Sequence, residues 1–215
     1  TGSIMLGDAS TGTIDAANYN TALGIDVFAA LTSGDANTAV GWSSLKALTT
    51  GSSNTGVGTN ALLTVSTGSS NTAVGSAALK VLTTGGYNTV IGVAAGEANT
   101  TGNTNVAIGF ESFAANTTGT DNVAIGVDAL KAATTASENT AIGRSALAST
   151  NGTRNMGIGY RALTAQSGSA DNIAIGYDAL VRQTTGANGN IAIGNYAGRA
   201  VVSSASTSQL VAIGH

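Results

Sequence analysis

Few side chains in this sequence could do chemistry. The single histidine is His215, cysteine is absent, and charged residues make up 9% of 215. Nucleophilic sites built on histidine and histidine-based metal sites therefore lack their central residue. Gly157-Ile158-Gly159-Tyr160-Arg161-Ala162 copies the spacing of a dinucleotide fingerprint, but no strand–helix–strand unit surrounds it. Asp121, Glu138, Arg154 and Asp171 recur at one position of a repeat. A calcium site takes carboxylates without an intervening guanidinium, so the alternating signs read as a surface charge ladder of little net worth, with Asp121 and Glu138 left open as a metal pair. Trp42, Phe110, Tyr160 and Tyr177 share another position, which elsewhere holds Thr59, Ser76 or Arg144. That variability marks an outward site, where exposed rings could stack on sugars and are also ordinary surface. The expectation is a protein that is not an enzyme, with no catalytic, cofactor or metal residues, and with these four aromatics as candidate recognition residues.

The elements that carry these residues come from a repeat. Asparagine recurs every 17 residues at Asn20, Asn37, Asn54, Asn71, Asn88, Asn105, Asn122 and Asn139. The register continues through Asn155, Asn172 and Asn190 to Leu210 and reaches back to Ser3, so thirteen coils are expected. Four residues after each comes glycine: Gly7, Gly24, Gly41, Gly58, Gly75, Gly92, Gly109, Gly126, Gly143, Gly159, Gly176, Gly194 and Gly214. A side chain is excluded there either by a left-handed backbone or by a backbone approach too close for a Cβ. The stacked asparagines read as a structural amide ladder.

Between Asn and Gly lies a short strand, as in Val106-Ala107-Ile108. Its first and third residues share a face of Thr, Val, Ile, Leu or Met, and the middle one is Ala or Gly except at Met5 and Val90. Both faces are restricted, as in a strand packed on both sides. A second apolar column follows at Phe28, Leu45, Leu62, Leu79, Phe113, Leu130, Leu147, Leu163 and Leu180. Two residues before it, Asp26, Ser43, Asn60, Asp128, Ser145 and Asp178 stand where an N-cap would, so this limb reads as a one-turn helix or a second short strand. The coil closes at Thr-Thr-Gly turns such as Thr49-Thr50-Gly51 and Thr184-Thr185-Gly186. Twelve steps of about 4.8 Å would make a rod roughly 58 Å long.

Composition agrees with a solenoid. Hydrophobic residues are 42% and mean hydropathy is +0.21, too apolar for disorder, while 4% aromatics and no proline suit small units packed closely. The net charge of −3 and the scattered Lys and Arg give no footprint for nucleic acid. No apolar run is long enough to insert in a membrane, and the start TGSIMLGDAS has neither a basic n-region nor an apolar h-region, so secretion by signal peptide is not expected. A single coil buries too little to fold alone, and neither end has a polar cap, so residues 1–215 read as one repeat solenoid, expected to be a stretch of a longer fibre or a subunit that continues end to end.

Asn105-Val106-Ala107-Ile108-Gly109, Asn139-Thr140-Ala141-Ile142-Gly143 and Asn172-Ile173-Ala174-Ile175-Gly176 resemble the head repeats of trimeric autotransporter adhesins. With the Ala-Leu limb and Thr-Thr-Gly turn they resemble the arrays of bacteriophage tail fibres still more closely. The resemblance implies an all-β, parallel β-solenoid or β-roll, assembled as an intertwined or side-by-side homotrimer. It implies an extracellular or virion-surface location and a rigid spacer that presents a surface to a host glycan or protein. Two other functions fit the residues: an ice-binding solenoid, on the column Thr21, Thr38, Thr55, Thr72 and Thr89, and a subunit of a self-assembling extracellular filament.

Overall fold

A computed structural model of the chain describes residues 4–6, 17–164, 168–182, 187–199 and 209–214. Ser3, Gly7, Thr184-Thr185-Gly186, His215 and the side chain of Met5 lie outside the described residues.

The fold is an all-β parallel solenoid. Its strands are β1 (Ile4–Leu6), β2 (Thr21–Leu23), β3 (Thr38–Val40), β4 (Thr55–Val57), β5 (Thr72–Val74), β6 (Thr89–Ile91) and β7 (Val106–Ile108). They continue as β8 (Val123–Ile125), β9 (Thr140–Ile142), β10 (Met156–Ile158), β11 (Ile173–Ile175), β12 (Ile191–Ile193) and β13 (Val211–Ile213). All lie in one sheet in chain order, with each residue opposite its counterpart in the next coil, as Thr38 opposite Thr55. Coils of unequal length keep that register: Thr140 faces Met156 and Ile191 faces Val211. The strands hold register across these differences in length, because slipping a strand by one would turn its alanine outward.

Alanine is required at the strand centre because the interior is thin. Ala39, Ala73, Ala107, Ala124 and Ala141 are fully buried against the leucine column. A Cβ added to Gly56 would lie 2.5 Å from Ser44 Oγ and 3.3 Å from Leu45 Cγ. Of the two strand faces expected to be packed, the chain itself covers one. Within the chain only the alanine side is covered, and the first and third residues point outward, half-buried or exposed.

The second limb is neither a strand nor a helix turn. It is a turn with two left-handed residues, Ser43 at φ 55° and Leu45 at φ 51° in one coil, and Asp128 at φ 58° and Leu130 at φ 50° in another. The residues read as N-caps are these left-handed corners and no helix follows them. The conformation turns successive amides to opposite neighbours: Ser43 N–H donates to Ile25 of the coil before (2.9 Å) and Leu45 N–H to Ala61 of the coil after (3.0 Å). A left-handed leucine costs roughly 1–3 kcal/mol, and complete burial of the side chain against equivalent leucines offsets it.

A third interior column, Leu31, Leu48, Val65 and Leu82, is equally buried. It turns polar at Asn99 and Asn116, whose Oδ1 atoms accept from Gly102 N (2.8 Å) and Gly119 N (2.7 Å). The asparagine ladder is continuous. Asn37 donates from Nδ2 to Asn20 Oδ1 (3.1 Å) and to the Gly51 carbonyl (3.0 Å), and its backbone N donates to the same Oδ1 (2.8 Å). Each amide thereby joins two coils and closes its own.

Both explanations of the first glycine column hold together. Gly41 has φ +124°, and a Cβ there would lie 2.7 Å from the Gly58 carbonyl oxygen. The Thr-Thr-Gly glycines have another reason than the turn expected of them. Gly51 does not take a left-handed φ, yet its Cβ position is 2.8 Å from Leu48 Cδ1 and closer still to the Gly68 carbonyl.

Candidate recognition surfaces

With this core fixed, the outward positions of the coil separate into faces of different chemistry. The strand face carries Thr, Val, Ile, Leu or Met at its first and third positions in every strand, and no charge. Leu23, Ile91, Ile108, Ile142 and Ile193 are exposed on it. The Thr21, Thr38, Thr55, Thr72 and Thr89 column lies on this outward face, with Thr21 and Thr89 exposed.

The leucine limb turns its charges outward in pairs. Lys46 meets Asp26 at 3.0 Å, Lys80 meets Glu97 at 3.1 Å, and Lys131 bridges Glu111 and Asp128. Glu111 and Asp128 hold the Lys131 ammonium above the ordinary lysine range, chiefly through the hydrogen bond to Glu111. Beside this bridge Ala94, Ala114, Ala115 and Ala132 floor an open depression of about 310 Å³ rimmed by Glu97 and Glu111.

The closing limb is hydroxylic. Thr32, Thr49, Thr83, Thr100 and Thr117 donate from Oγ1 to a carbonyl of the next coil at 2.9 to 3.0 Å. The following column, Ser33, Thr50, Thr67, Thr84, Thr101, Thr118 and Thr135, is exposed. At the corner before the ladder, Arg154 pairs with Asp171 at 2.7 and 3.1 Å, and that hydrogen bonding holds the Asp171 carboxyl below its ordinary range. Asp121 is lowered by hydrogen bonds from Thr104 and Thr120. Asp121 and Glu138 are not joined by a third ligand: no cluster of three metal-binding side chains occurs among the described residues.

The four aromatics chosen from sequence are all exposed, but they do not form one site. Trp42 and Phe110 stand on separate coils. Tyr160 and Tyr177 come together, stacked with centroids 5.0 Å apart and planes 20° from parallel. Tyr196 joins them edge-on at 5.3 Å. It escaped the sequence reading because it stands two residues after Gly194, in the left-handed corner column that holds Arg161 and Asp178, while Asn195 takes the aromatic column. Arg161 lies 6.0 Å from the Tyr160 ring and Arg199 lies 4.8 Å from that of Tyr196.

The cations are not scattered at random. Residues 1–140 hold three lysines against nine carboxylates, whereas residues 141–215 hold all five arginines against two carboxylates, Asp171 and Asp178. The tyrosine cluster sits in the basic third.

No family model, curated protein or solved structure matches the chain. No helix among the described residues is long and apolar enough to cross a membrane.

Proposed function

We propose that the chain is a rigid segment of a phage tail fibre or surface adhesin, that it associates with copies of itself as a trimer along the strand face, and that its role is mechanical and not catalytic. The supporting observation is the strand face. An uncharged strip of aliphatic and threonine side chains runs the length of the sheet, while the charged side chains lie on the other limbs. A strip roughly 58 Å by 10 Å offers about 600 Å² per chain, and a stable contact buries about 800 Å² per partner, so the strip and the flanking Ile25, Val93 and Val127 suit a lasting association. Stiffness follows from the continuous amide, hydroxyl and backbone ladders. Facing a cell from the virion or bacterial exterior, such a rod holds its ends apart and exposes its limbs to a host glycan or protein.

Light scattering on the purified chain tests this. Three chains per particle, reduced to one by Val57→Lys with Val74→Lys, is the expected result. A monomeric wild-type chain, or a trimer indifferent to both lysines, would overturn it.

A second reading has its own observation. Five threonines point outward from successive strands in exact register, a regular hydroxyl and methyl array of the kind that can order water. Under this reading the face stays open, the chain is monomeric, and thermal hysteresis is lost on Thr55→Lys.

A further inference from the structure

The basic third has a feature that the spacer role leaves unused. Tyr160, Tyr177 and Tyr196 form a continuous aromatic corner over three successive coils. Tyr160 and Tyr177 stack one ring face on each other, and both side chains remain exposed. Arg199 covers the Tyr196 ring. Arg144 lies in the coil before Tyr160, and its carbonyl accepts from Arg161 N at 3.0 Å. Hydrogen-bond donors therefore dominate the corner. Carboxylates are scarce: Asp178 is buried and within 3.6 Å of Arg161, and neither Arg144 nor Arg199 has an ion-pair partner among the described residues.

We propose that the corner formed by Arg144, Tyr160, Arg161, Tyr177, Tyr196 and Arg199 binds a polysaccharide bearing carboxylates. Guanidinium forks match planar carboxylates in bidentate geometry. Tyrosine and arginine together are the side chains most enriched where binding energy concentrates. Successive coils about 4.8 Å apart repeat the donors at a spacing close to the length of one sugar in an extended chain, which suits a polymer with a carboxylate on each residue. The local excess of positive charge in a chain of net charge −3 draws such a polymer to this end of the rod and away from the acidic remainder. The identification of the ligand as a surface glycan rests on the fibre reading above.

Polygalacturonate is the probe, with neutral dextran, polyphosphate and a single-stranded DNA oligonucleotide beside it, all in affinity electrophoresis of the full chain. The wild-type chain is expected to be retarded by polygalacturonate and not by dextran. Arg144→Ala with Arg199→Ala, two arginines outside any ion pair among the described residues, should weaken retardation about tenfold or more, and Tyr177→Ala should weaken it as well. Unchanged thermal melting of the variants shows that folding is not the cause. Absence of retardation, or retardation that survives the arginine substitutions, overturns the proposal. Equal or tighter binding of polyphosphate or DNA overturns it also, since the corner would then read charge or bases and not a sugar acid. Particle mass measured on the same sample separates this outcome from failure of the fibre reading.

Discussion

Val90 fills the volume that Gly96 vacates. Val90 is the one valine at a described strand centre and is fully buried, and Gly96 is glycine where neighbouring coils carry Leu79 and Phe113. A Cβ on Gly96 would lie 3.7 Å from Val90 Cγ1 and 3.0 Å from Leu79 Cδ2. Gly96 has φ +58°, the conformation that leucine adopts at this position in other coils. Two departures from the repeat are thus one exchange of volume across the coil. Val90→Ala alone should cost about 2 kcal/mol through lost burial and a cavity, and Gly96→Leu alone about 1–3 kcal/mol through overpacking. Together they restore the consensus coil, so a double-mutant cycle in denaturant should find the pair less destabilised than the sum. Simple additivity would show that the two sites are not coupled.

Two glycines with positive φ separate the two costs of a side chain. At Gly126, φ is +129° and a Cβ would meet the Gly143 carbonyl carbon and oxygen at 2.7 Å, whereas at Gly168, φ is +73° and nothing among the described residues lies within 4 Å. Gly168→Ala should cost about 1 kcal/mol, the left-handed backbone alone. Gly126→Ala adds a clash between coils that only separating the sheet can relieve, and should cost about 3 kcal/mol or more. Thermal melts of the two variants make the comparison.

Much of this was legible because the repeat multiplies every constraint. A residue type that recurs at Asn37, Asn54, Asn71 and onward, or at Gly41, Gly58 and Gly75, reveals a column that one coil could not. The strand, the ladder and the parallel stacking follow from that. The second limb was opaque because Ser43 and Leu45 carry no mark of a left-handed φ; neighbouring amides and burial set their backbone, overriding local preference. The Leu48 column was hidden by its change to Asn99 and Asn116, which keep the interior filled with different chemistry. The tyrosine corner was not legible, since Tyr196 stands one position beyond the column of Tyr160 and Tyr177 and meets them only through the stacking of the coils.

Surface carboxylates give the fold a shallow acid dependence. Hydrogen bonds hold Asp121 and Asp171 below the ordinary carboxylate range. A folded-state value below the unfolded one adds stability that is present above the unfolded value and is lost as pH falls through the folded one. Melting temperature should therefore decline on the acid side of the carboxylate range. Asp171→Asn should flatten the decline slightly, because the pair with Arg154 is exposed and screened. Lys131 contributes with the opposite sign: its raised value gives stability present below the ordinary lysine range and lost as pH climbs through the raised one. A decline unchanged by Asp171→Asn would show that other groups govern the acid limb.

The ladder should respond to pH in a way that tests its polarity. Asn88 Nδ2 donates to Asn71 Oδ1 (3.0 Å), the Gly102 carbonyl (2.9 Å) and the Gly86 carbonyl (3.2 Å), while its Oδ1 accepts from Asn105 N and Nδ2. Asn88→Asp keeps the shape and replaces the donor with an oxygen that faces three acceptors. The ionised form should cost about 3 kcal/mol or more, as a buried charge aimed at lone pairs. Burial and those acceptors raise the introduced carboxyl's value in the folded state. A raised folded value makes stability increase as pH falls, since the protonated group again donates one hydrogen bond. Asn88→Ala loses the same bonds with nothing to titrate. Guanidinium denaturation at mildly acid and neutral pH should therefore show the deficit of Asn88→Asp shrinking in acid and that of Asn88→Ala unchanged. Equal deficits at both would mean that the ladder opens to water around Asn88 and that its amides do not act as a sealed interior column.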